Sequence, residues 1–253
     1  MINTTYFYYF SPTGGTKKAG ELFCEKISSN VKKIDLGAHD NNAEKPESDL
    51  VVIAAPIFGG RIPELVAEKL KKVNGEGKKA VTLVVYGNRA YEDALLELNH
   101  VAEEQGFEVI ASAAIIAQHS MAPEVGKGRP DDLDRQAIHE FAQSVLDKID
   151  SNTNESVKVP GNYPYKEAMS MPVTPMSLPS CNQCGKCETV CPTEAIDIKE
   201  KAVVTNIEKC MLCMACTAVC PQHARILPPP LKEKMEQMLG ALKTVRRENE
   251  FFL

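Results

Sequence analysis

The sequence lacks the features of several broad classes of protein. No apolar run approaches the roughly 18–20 residues that a membrane-spanning helix needs, so we expect no membrane contact. Basic residues are not in excess, because the net charge is −5, and nucleic-acid binding, which requires a basic surface, is not expected. The first residues contain no basic segment followed by an apolar one, so we expect a cytoplasmic protein without a secretory signal.

Cysteine is the residue type with the most uneven distribution. The chain has nine cysteines, and eight of them lie between Cys181 and Cys220. In a secreted miniprotein this density would suggest disulfides, but an internal spacing that occurs twice favours metal ligation. Cys24 stands alone in a predicted helix, and we interpret it as a small core residue.

The eight clustered cysteines form two runs of one pattern. The runs are Cys181-x2-Cys184-x2-Cys187-x3-Cys191-Pro192 and, 29 residues later, Cys210-x2-Cys213-x2-Cys216-x3-Cys220-Pro221. This spacing is that of bacterial two-cluster ferredoxins, and residues 178–228 resemble that module at all eight ligand positions. The alternative is a pair of structural zinc sites, although these usually separate two CxxC pairs by a long loop.

The resemblance to the ferredoxin module implies two 4Fe–4S clusters with crossed ligation. The fourth cysteine of each run then binds the cluster held by the other run. The predicted ligands are Cys181, Cys184, Cys187 and Cys220 for cluster I, and Cys210, Cys213, Cys216 and Cys191 for cluster II.

The first 150 residues alternate strand and helix patterns. Strands are predicted at residues 4–10, 31–36, 49–55, 80–86 and 107–116, and helices at 17–28, 63–73, 91–105 and 133–149. Five strands separated by helices predict an α/β fold with a doubly wound parallel sheet. The predicted domains are this unit at 1–150, a Pro- and Ser-rich linker at 151–178, the cysteine-rich unit at 179–228 and a C-terminal helix at 229–253.

Three loops follow the first, third and fourth predicted strands. The first, residues 11–16, has hydroxyls and two glycines before a helix, which suits a phosphate group. It lacks G-x-G-x-x-G and the Gly-Lys-Ser/Thr ending of a nucleoside triphosphate loop, so a terminal monophosphate is predicted. The loops at 55–63 and 86–91 place an aromatic residue beside glycine, as a stacked planar ring requires.

With these loops, residues 3–150 resemble flavodoxin, and the resemblance implies a five-stranded flavodoxin-like sheet that binds FMN. Phe58 and Tyr91 fall near the family's two stacking positions, although Trp or Tyr is commoner where Phe58 stands. The predicted FMN-binding residues are Ser11, Thr13, Gly14, Gly15, Thr16, Pro56, Ile57, Phe58, Gly59, Gly87, Asn88, Arg89 and Tyr91.

Three charged or titratable side chains near the predicted ring site have two interpretations each. Arg61 and Arg89 are either cations that act on the flavin or solvated loop charges. His119, after the fifth strand, is either a loop residue that forms hydrogen bonds or a group at the flavin rim.

A flavodoxin-like domain followed by a two-cluster ferredoxin resembles the fused flavodoxin–ferredoxin family of anaerobic bacteria and archaea. The resemblance implies a carrier of low-potential electrons. Because the linker is long and Pro-rich and the C-terminal helix has an apolar face, we expect both to hold the clusters near the flavin-binding loops. The alternatives are a flavin-dependent reductase of an organic substrate and a redox-sensing module. A large apolar cavity over the flavin would favour the reductase. The expected partners are redox proteins, with a homodimer as one arrangement.

Overall fold

The computed structural model describes residues 2–39, 45–151, 156–200 and 202–253. Its first five strands are β1 (Ile2–Tyr9), β2 (Ser28–Asp35), β3 (Leu50–Pro56), β4 (Lys79–Tyr86) and β5 (Glu108–Ile116). They are parallel and lie side by side in the order β2-β1-β3-β4-β5. This order is that of the flavodoxin-like doubly wound fold, so the predicted fold class is confirmed.

Four helices cover the two faces of this sheet. They are α1 (Gly15–Ile27), α2 (Glu64–Leu70), α3 (Ala94–Glu104) and α4 (Asp132–Asp150). Phe23 and Phe141 from α1 and α4 pack in one buried cluster, whereas Val66 and Leu95 from α2 and α3 belong to the other. Every residue of β3 is buried, as expected for a central parallel strand that is covered on both faces.

The cysteine-rich unit repeats its backbone as well as its sequence. Its elements are β6 (Met176–Ser177), α5 (Lys186–Thr189), β7 (Ile196–Lys199), β8 (Ala202–Thr205), α6 (Ala215–Ala218) and β9 (Arg225–Ile226). Strand β6 pairs with β9, and β7 pairs with β8. Gly185 and Met214 precede α5 and α6 in the same left-handed conformation. The two runs of cysteine therefore lie in equivalent local structures.

The end of the chain differs from the predicted C-terminal helix. Helix α7 (Pro229–Leu239) ends early, a 3₁₀ turn follows at Gly240–Leu242, and β10 (Glu250–Phe252) pairs antiparallel with β5. The stretch after Leu242 has no apolar residues at helical spacing, so a longer helix would have no face to bury. The added strand instead covers the edge of the sheet, which would otherwise expose unpaired backbone groups.

The segment between the two units is held against the first domain. The Asp93 carboxylate accepts hydrogen bonds from Asn162 N at 2.8 Å and from Lys166 N at 2.7 Å. Tyr165 Oη lies 2.6 Å from His100 Nδ1. These contacts fix the path of residues 162–166 over the sheet.

Among the described residues, no helix combines the length and the apolar character that crossing a membrane requires.

Candidate functional site

A cavity of about 1030 Å³ lies at the carboxyl ends of the parallel strands. The loops after β1, β3, β4 and β5 form one side of it. The remaining walls come from residues 166–172 of the linker, residues 207–208 and 210–213 of the cysteine-rich unit and Met235, Met238 and Leu239 near the end of α7. Open α/β sheets bind ligands at this edge, beside the switch in strand order. The cavity therefore joins the predicted flavin loops to the second cysteine run.

The loop after β1 presents the N-terminus of α1 to the cavity. Gly14 precedes the helix with φ +89°, a conformation that favours glycine. Lys17 N donates to Ser11 Oγ at 2.9 Å, so the Ser11 hydroxyl closes the turn, and only Thr13, Gly15 and Thr16 of the predicted phosphate residues line the cavity. The first turn carries no acidic residue. These features fit an anionic group at the helix N-terminus.

The loop after β3 brings four predicted residues into the cavity wall. Pro56, Ile57, Phe58 and Gly59 all line it. Phe58 N donates to Arg61 O at 2.9 Å, and Arg61 N donates back to Phe58 O at 3.3 Å. Gly59 and Gly60 make this tight turn possible, with φ of +63° and +90°. Phe58 lines the cavity, and the Phe10 ring meets its ring edge-on with the two centroids 6.5 Å apart.

The loop after β4 divides into residues that reach the cavity and residues that do not. Gly87 and Arg89 line it, but Asn88 and Tyr91 do not. Asn88 is fully buried with φ +61°, and its Nδ2 donates to Val245 O at 2.7 Å. Tyr91 is buried, and its hydroxyl donates to Glu250 Oε2 at 2.7 Å. These two residues anchor the C-terminal segment instead. Tyr91 is therefore not placed to stack on a ring in the cavity.

Two cations predicted near the ring site are paired with carboxylates. The Arg61 guanidinium donates to both oxygens of Glu97 at 2.6 and 2.7 Å, and it also donates to Lys166 O. The hydrogen bond to Glu97 raises the pKa of Arg61 above its ordinary value. Arg89 pairs with Glu92 at 2.8 Å. Arg61 therefore joins the linker to the first domain while it lines the cavity.

His119 contributes a neutral imidazole to the cavity wall. Its Nδ1 accepts hydrogen bonds from Met121 N at 3.1 Å and Ala122 N at 3.2 Å, so the ring proton lies on Nε2. Burial lowers the pKa of His119 to about 4, and the charge of Arg89 acts in the same direction. The ring lies against Gly87, where a Cβ atom would approach it to 2.4 Å. His119 is thus a fixed, uncharged N–H donor next to the predicted ring loop.

Several cavity residues were not predicted from the sequence. Methionines from four separate parts of the chain line it. The set is Met121, Met169, Met171, Met211, Met235 and Met238. A flexible thioether fills irregular apolar space. The Met-rich composition of the linker was the available signal, but only the folded chain shows which methionines meet.

The last cysteine of the first run lies among the first three cysteines of the second run. Burial raises the pKa of Cys213 to about 12, and the neighbouring thiols Cys216, Cys191 and Cys210 add to the rise. Cys191 likewise acts on Cys210 and Cys216. Cys191, the last cysteine of the first run, therefore lies beside the first three cysteines of the second run. This grouping is the one that crossed ligation of cluster II requires.

The fourth cysteine of each run is held in the same way. Ala195 N donates to Cys191 Sγ and Ala224 N donates to Cys220 Sγ, both at 3.3 Å. Hydrogen bonds to ligand sulfur are one of the means by which proteins adjust cluster potentials. Among the described residues, no group of three or more His, Cys, Asp or Glu side chains surrounds a single-ion position. A cubane instead takes one thiolate at each of four separate irons.

Comparisons with known proteins agree with the cysteine pattern. Residues 180–224 match the family model described as a 4Fe-4S dicluster domain. No curated protein matches the chain.

Several solved structures are similar to the first part of the chain. A flavodoxin from the domain Archaea is 18% identical, with 58% of this chain and 99% of that chain covered and a TM-score of 0.42. Flavodoxin 1 from Bacillus cereus is 15% identical over 57% and 98%, with a TM-score of 0.43. Rubredoxin oxygen:oxidoreductase from Desulfovibrio gigas is 17% identical over 59% of this chain, with a TM-score of 0.44. The match spans 36% of that longer protein.

The strand order and the matched domain together define the class of protein. A flavodoxin-like domain precedes a 4Fe–4S dicluster domain in one chain. The chain thus joins a doubly wound, flavodoxin-like sheet to a region that matches an iron–sulfur domain, and the cavity where the two meet is a candidate cofactor site.

Proposed function

We propose that this chain is an electron-transfer protein of the fused flavodoxin–ferredoxin type, in which two low-potential 4Fe–4S clusters exchange electrons with an FMN. The observation that carries the proposal is that Cys210 and Cys213 lie in the wall of the cavity that the flavodoxin-like loops form. Clusters pass single electrons, whereas a flavin accepts one or two. A flavin beside a cluster therefore connects one-electron and two-electron partners.

The residues that line the cavity suggest how FMN would be held. Thr13, Gly15 and Thr16 at the start of α1 would bind its phosphate with hydroxyl and backbone N–H groups. Phe58 and Gly87 border the space left for the ring. Because Tyr91 is anchored to Glu250, we no longer assign it to the ring.

The two cysteine sets differ in their distance from this cavity. Residues of the cluster II set line it, whereas none of the cluster I cysteines does. Cys184 of the cluster I set is exposed at the protein surface. We therefore assign cluster I to exchange with partner proteins and cluster II to exchange with the flavin.

Cofactor analysis of anaerobically prepared protein tests the proposal. We expect about eight iron and eight acid-labile sulfide, since two cubanes fill eight ligands, and one FMN per chain. A reductive titration should take up about four electrons, because each cluster accepts one and the flavin accepts two. Stoichiometric zinc without sulfide would contradict the cluster assignment. A chain that takes up clusters but no FMN would contradict the flavin assignment alone.

The size and cover of the cavity favour a second candidate, the flavin-dependent reductase. Its volume of about 1030 Å³ lies at the upper end of the roughly 300–1,000 Å³ typical of small-molecule sites. Residues of the linker and of α7 form part of its wall, and six of the lining residues are methionines. Such a cavity could admit an apolar organic substrate beside the flavin.

Anaerobic turnover separates the carrier from the reductase. With reduced methyl viologen as donor, 2-cyclohexenone can serve as a two-electron acceptor. Because reduced viologen also reduces cytochrome c directly, the chain is first reduced and freed of donor before it is mixed with cytochrome c as a one-electron acceptor. A carrier should reduce cytochrome c quickly and leave the enone unchanged. Catalytic reduction of the enone that stops when FMN is removed would favour the reductase.

A further inference from the structure

The two halves of the cysteine-rich unit differ at one buried position. Ile196 follows the first run and Arg225 follows the second, and the two positions are one repeat of 29 residues apart. Both side chains are buried, at 4% and 3% exposure. Ile196 packs with Cys187, Cys191 and Cys216 in the small core of this unit. The sequence thus places a cation in one half where the other half has an apolar residue.

Two hydroxyl groups hold the Arg225 guanidinium in place. Nη1 donates to Ser177 Oγ at 3.1 Å, and Nη2 donates to Thr205 Oγ1 at 2.7 Å. The third nitrogen, Nε, is buried and has no hydrogen-bond partner among the described residues. No carboxylate among the described residues forms an ion pair with Arg225. Among the described residues, the oxygen atoms that accept hydrogen bonds from Arg225 are therefore those of neutral hydroxyls.

A buried guanidinium without a counter-ion is energetically costly, and burial of charge is normally offset by an opposite charge. The groups around Arg225 that can become anionic are cysteine thiols. Thr205, which accepts a hydrogen bond from the guanidinium, pairs across the strands with Ile196, and Ile196 packs against Cys187 and Cys216. Ala224 N, next to Arg225 in the chain, donates to Cys220 Sγ at 3.3 Å. Arg225 therefore lies between the cluster I set and the cluster II set.

We propose that Arg225 is a tuning residue whose buried charge favours the reduced form of both clusters. This inference rests on the proposed cluster content. A 4Fe–4S cluster with four thiolates is anionic and gains one more negative charge on reduction. A fixed cation in a medium of low dielectric stabilises the more negative state. Ile196 offers no such stabilisation at the equivalent position.

Potentiometric titration of the intact, cluster-loaded chain, followed by electron paramagnetic resonance, tests the inference. In Arg225→Gln and Arg225→Ile we expect both cluster midpoint potentials to become more negative. The equilibrium constant for reduction should fall about tenfold, which is about 59 mV for a one-electron couple. Arg225→Lys keeps the charge but loses the planar guanidinium group, and the cluster midpoint potentials should stay near those of the original chain. Lys186→Gln, which removes an exposed cation next to Cys187, should shift them much less because solvent screens exposed charge.

The outcomes separate this inference from the proposal beneath it. If iron and sulfide analysis of the unaltered chain finds no clusters, the proposed function fails. If the Gln and Ile variants are fully loaded and their potentials are unchanged, only the tuning role is wrong. If Gln and Ile lose the clusters while Lys keeps them at the original potentials, the charge is required and the inference stands. If Arg225→Lys loses its clusters or lowers both potentials as much as Arg225→Gln does, the hydrogen bonds to Ser177 and Thr205 matter rather than the charge. The inference is then overturned.

Discussion

The parallel sheet and the cysteine-rich unit bury very different kinds of side chain. The sheet has a large apolar cluster on each face, built from aliphatic and aromatic residues. Among the described residues, one small core of the cysteine-rich unit holds five buried residues, of which three are Cys187, Cys191 and Cys216. The unit's other buried cluster is shared with α7 rather than internal to it. Small units that lack an apolar core usually depend on metals or disulfides. The first domain should therefore fold by burial alone, whereas the second needs its clusters.

The largest expected effect follows from removing the clusters. Acid treatment and chelation of iron should unfold residues 176–228, because ligand binding and folding of a small metal-dependent unit are coupled. The sheet strands should keep their structure. Hydrogen exchange read by mass spectrometry measures both regions in one sample. Equal protection of the cysteine-rich unit with and without clusters would show that its apolar contacts suffice.

The next effect concerns which cysteines act together. Cys191→Ser should remove cluster II, so that about four of eight iron atoms are lost, and Cys210, Cys213 and Cys216 should become reactive to thiol reagents. Cys24→Ser is the matched control, because Cys24 is buried in α1 away from both runs. Loss of the signal of cluster I instead would show that ligation follows the order of the sequence.

A third prediction concerns the loop before α1. The double change Thr13→Ala and Thr16→Ala should weaken FMN binding by at least about tenfold, since hydrogen bonds to a charged group contribute about 1.5–3 kcal/mol each. Riboflavin has no phosphate, and its affinity should change little. Fluorescence titration of both ligands makes the comparison. Equal weakening for FMN and riboflavin would place the hydroxyls at the ring rather than the phosphate.

The two aromatic residues predicted for the ring site should now behave differently. Phe58→Ala should weaken FMN and riboflavin alike, because Phe58 lines the cavity. Tyr91→Phe should leave both affinities unchanged and lower the free energy of unfolding by about 1.5–3 kcal/mol, because the hydrogen bond to the Glu250 carboxylate is lost. Ligand titration and chemical denaturation measure the two quantities. A loss of flavin affinity in Tyr91→Phe would show that Tyr91 does contribute to flavin binding.

The difference between Phe58 and Tyr91 also shows which features of the fold and the site the sequence alone could predict. Local patterns predicted the five parallel strands and the ligand spacing, since both depend on periodicity and on residue type. The location of Tyr91 depends on β10, which returns to the sheet from the far end of the chain. No local pattern near Tyr91 predicts Glu250 as its partner. The sequence did not indicate Arg225 for a similar reason, because its proposed role depends on the fold that places it between two cysteine sets.

The last expected effect concerns pH and His119. The pKa of His119 is lowered to about 4 in the folded protein, whereas an unfolded histidine takes up its proton near pH 6.5. Between these values the unfolded chain binds the extra proton, so stability falls as the pH is lowered from about 6.5 to 4. His119→Gln should make this decline shallower, and His39→Gln, at a surface position, should not. Denaturation of the flavin-bound chain at several pH values measures the slope.

Reduction kinetics test most directly the claim that cluster II and the flavin exchange electrons within one chain. In a stopped-flow experiment the fully loaded chain is mixed with a one-electron reductant, and flavin reduction is followed at several protein concentrations with reductant in constant excess. The proposed arrangement predicts that clusters are reduced first and that the cluster-to-flavin rate does not depend on protein concentration. This rate should vanish in Cys191→Ser and persist in Cys24→Ser. A rate that rises in proportion to protein concentration would contradict the account, because the electrons would then pass between separate molecules.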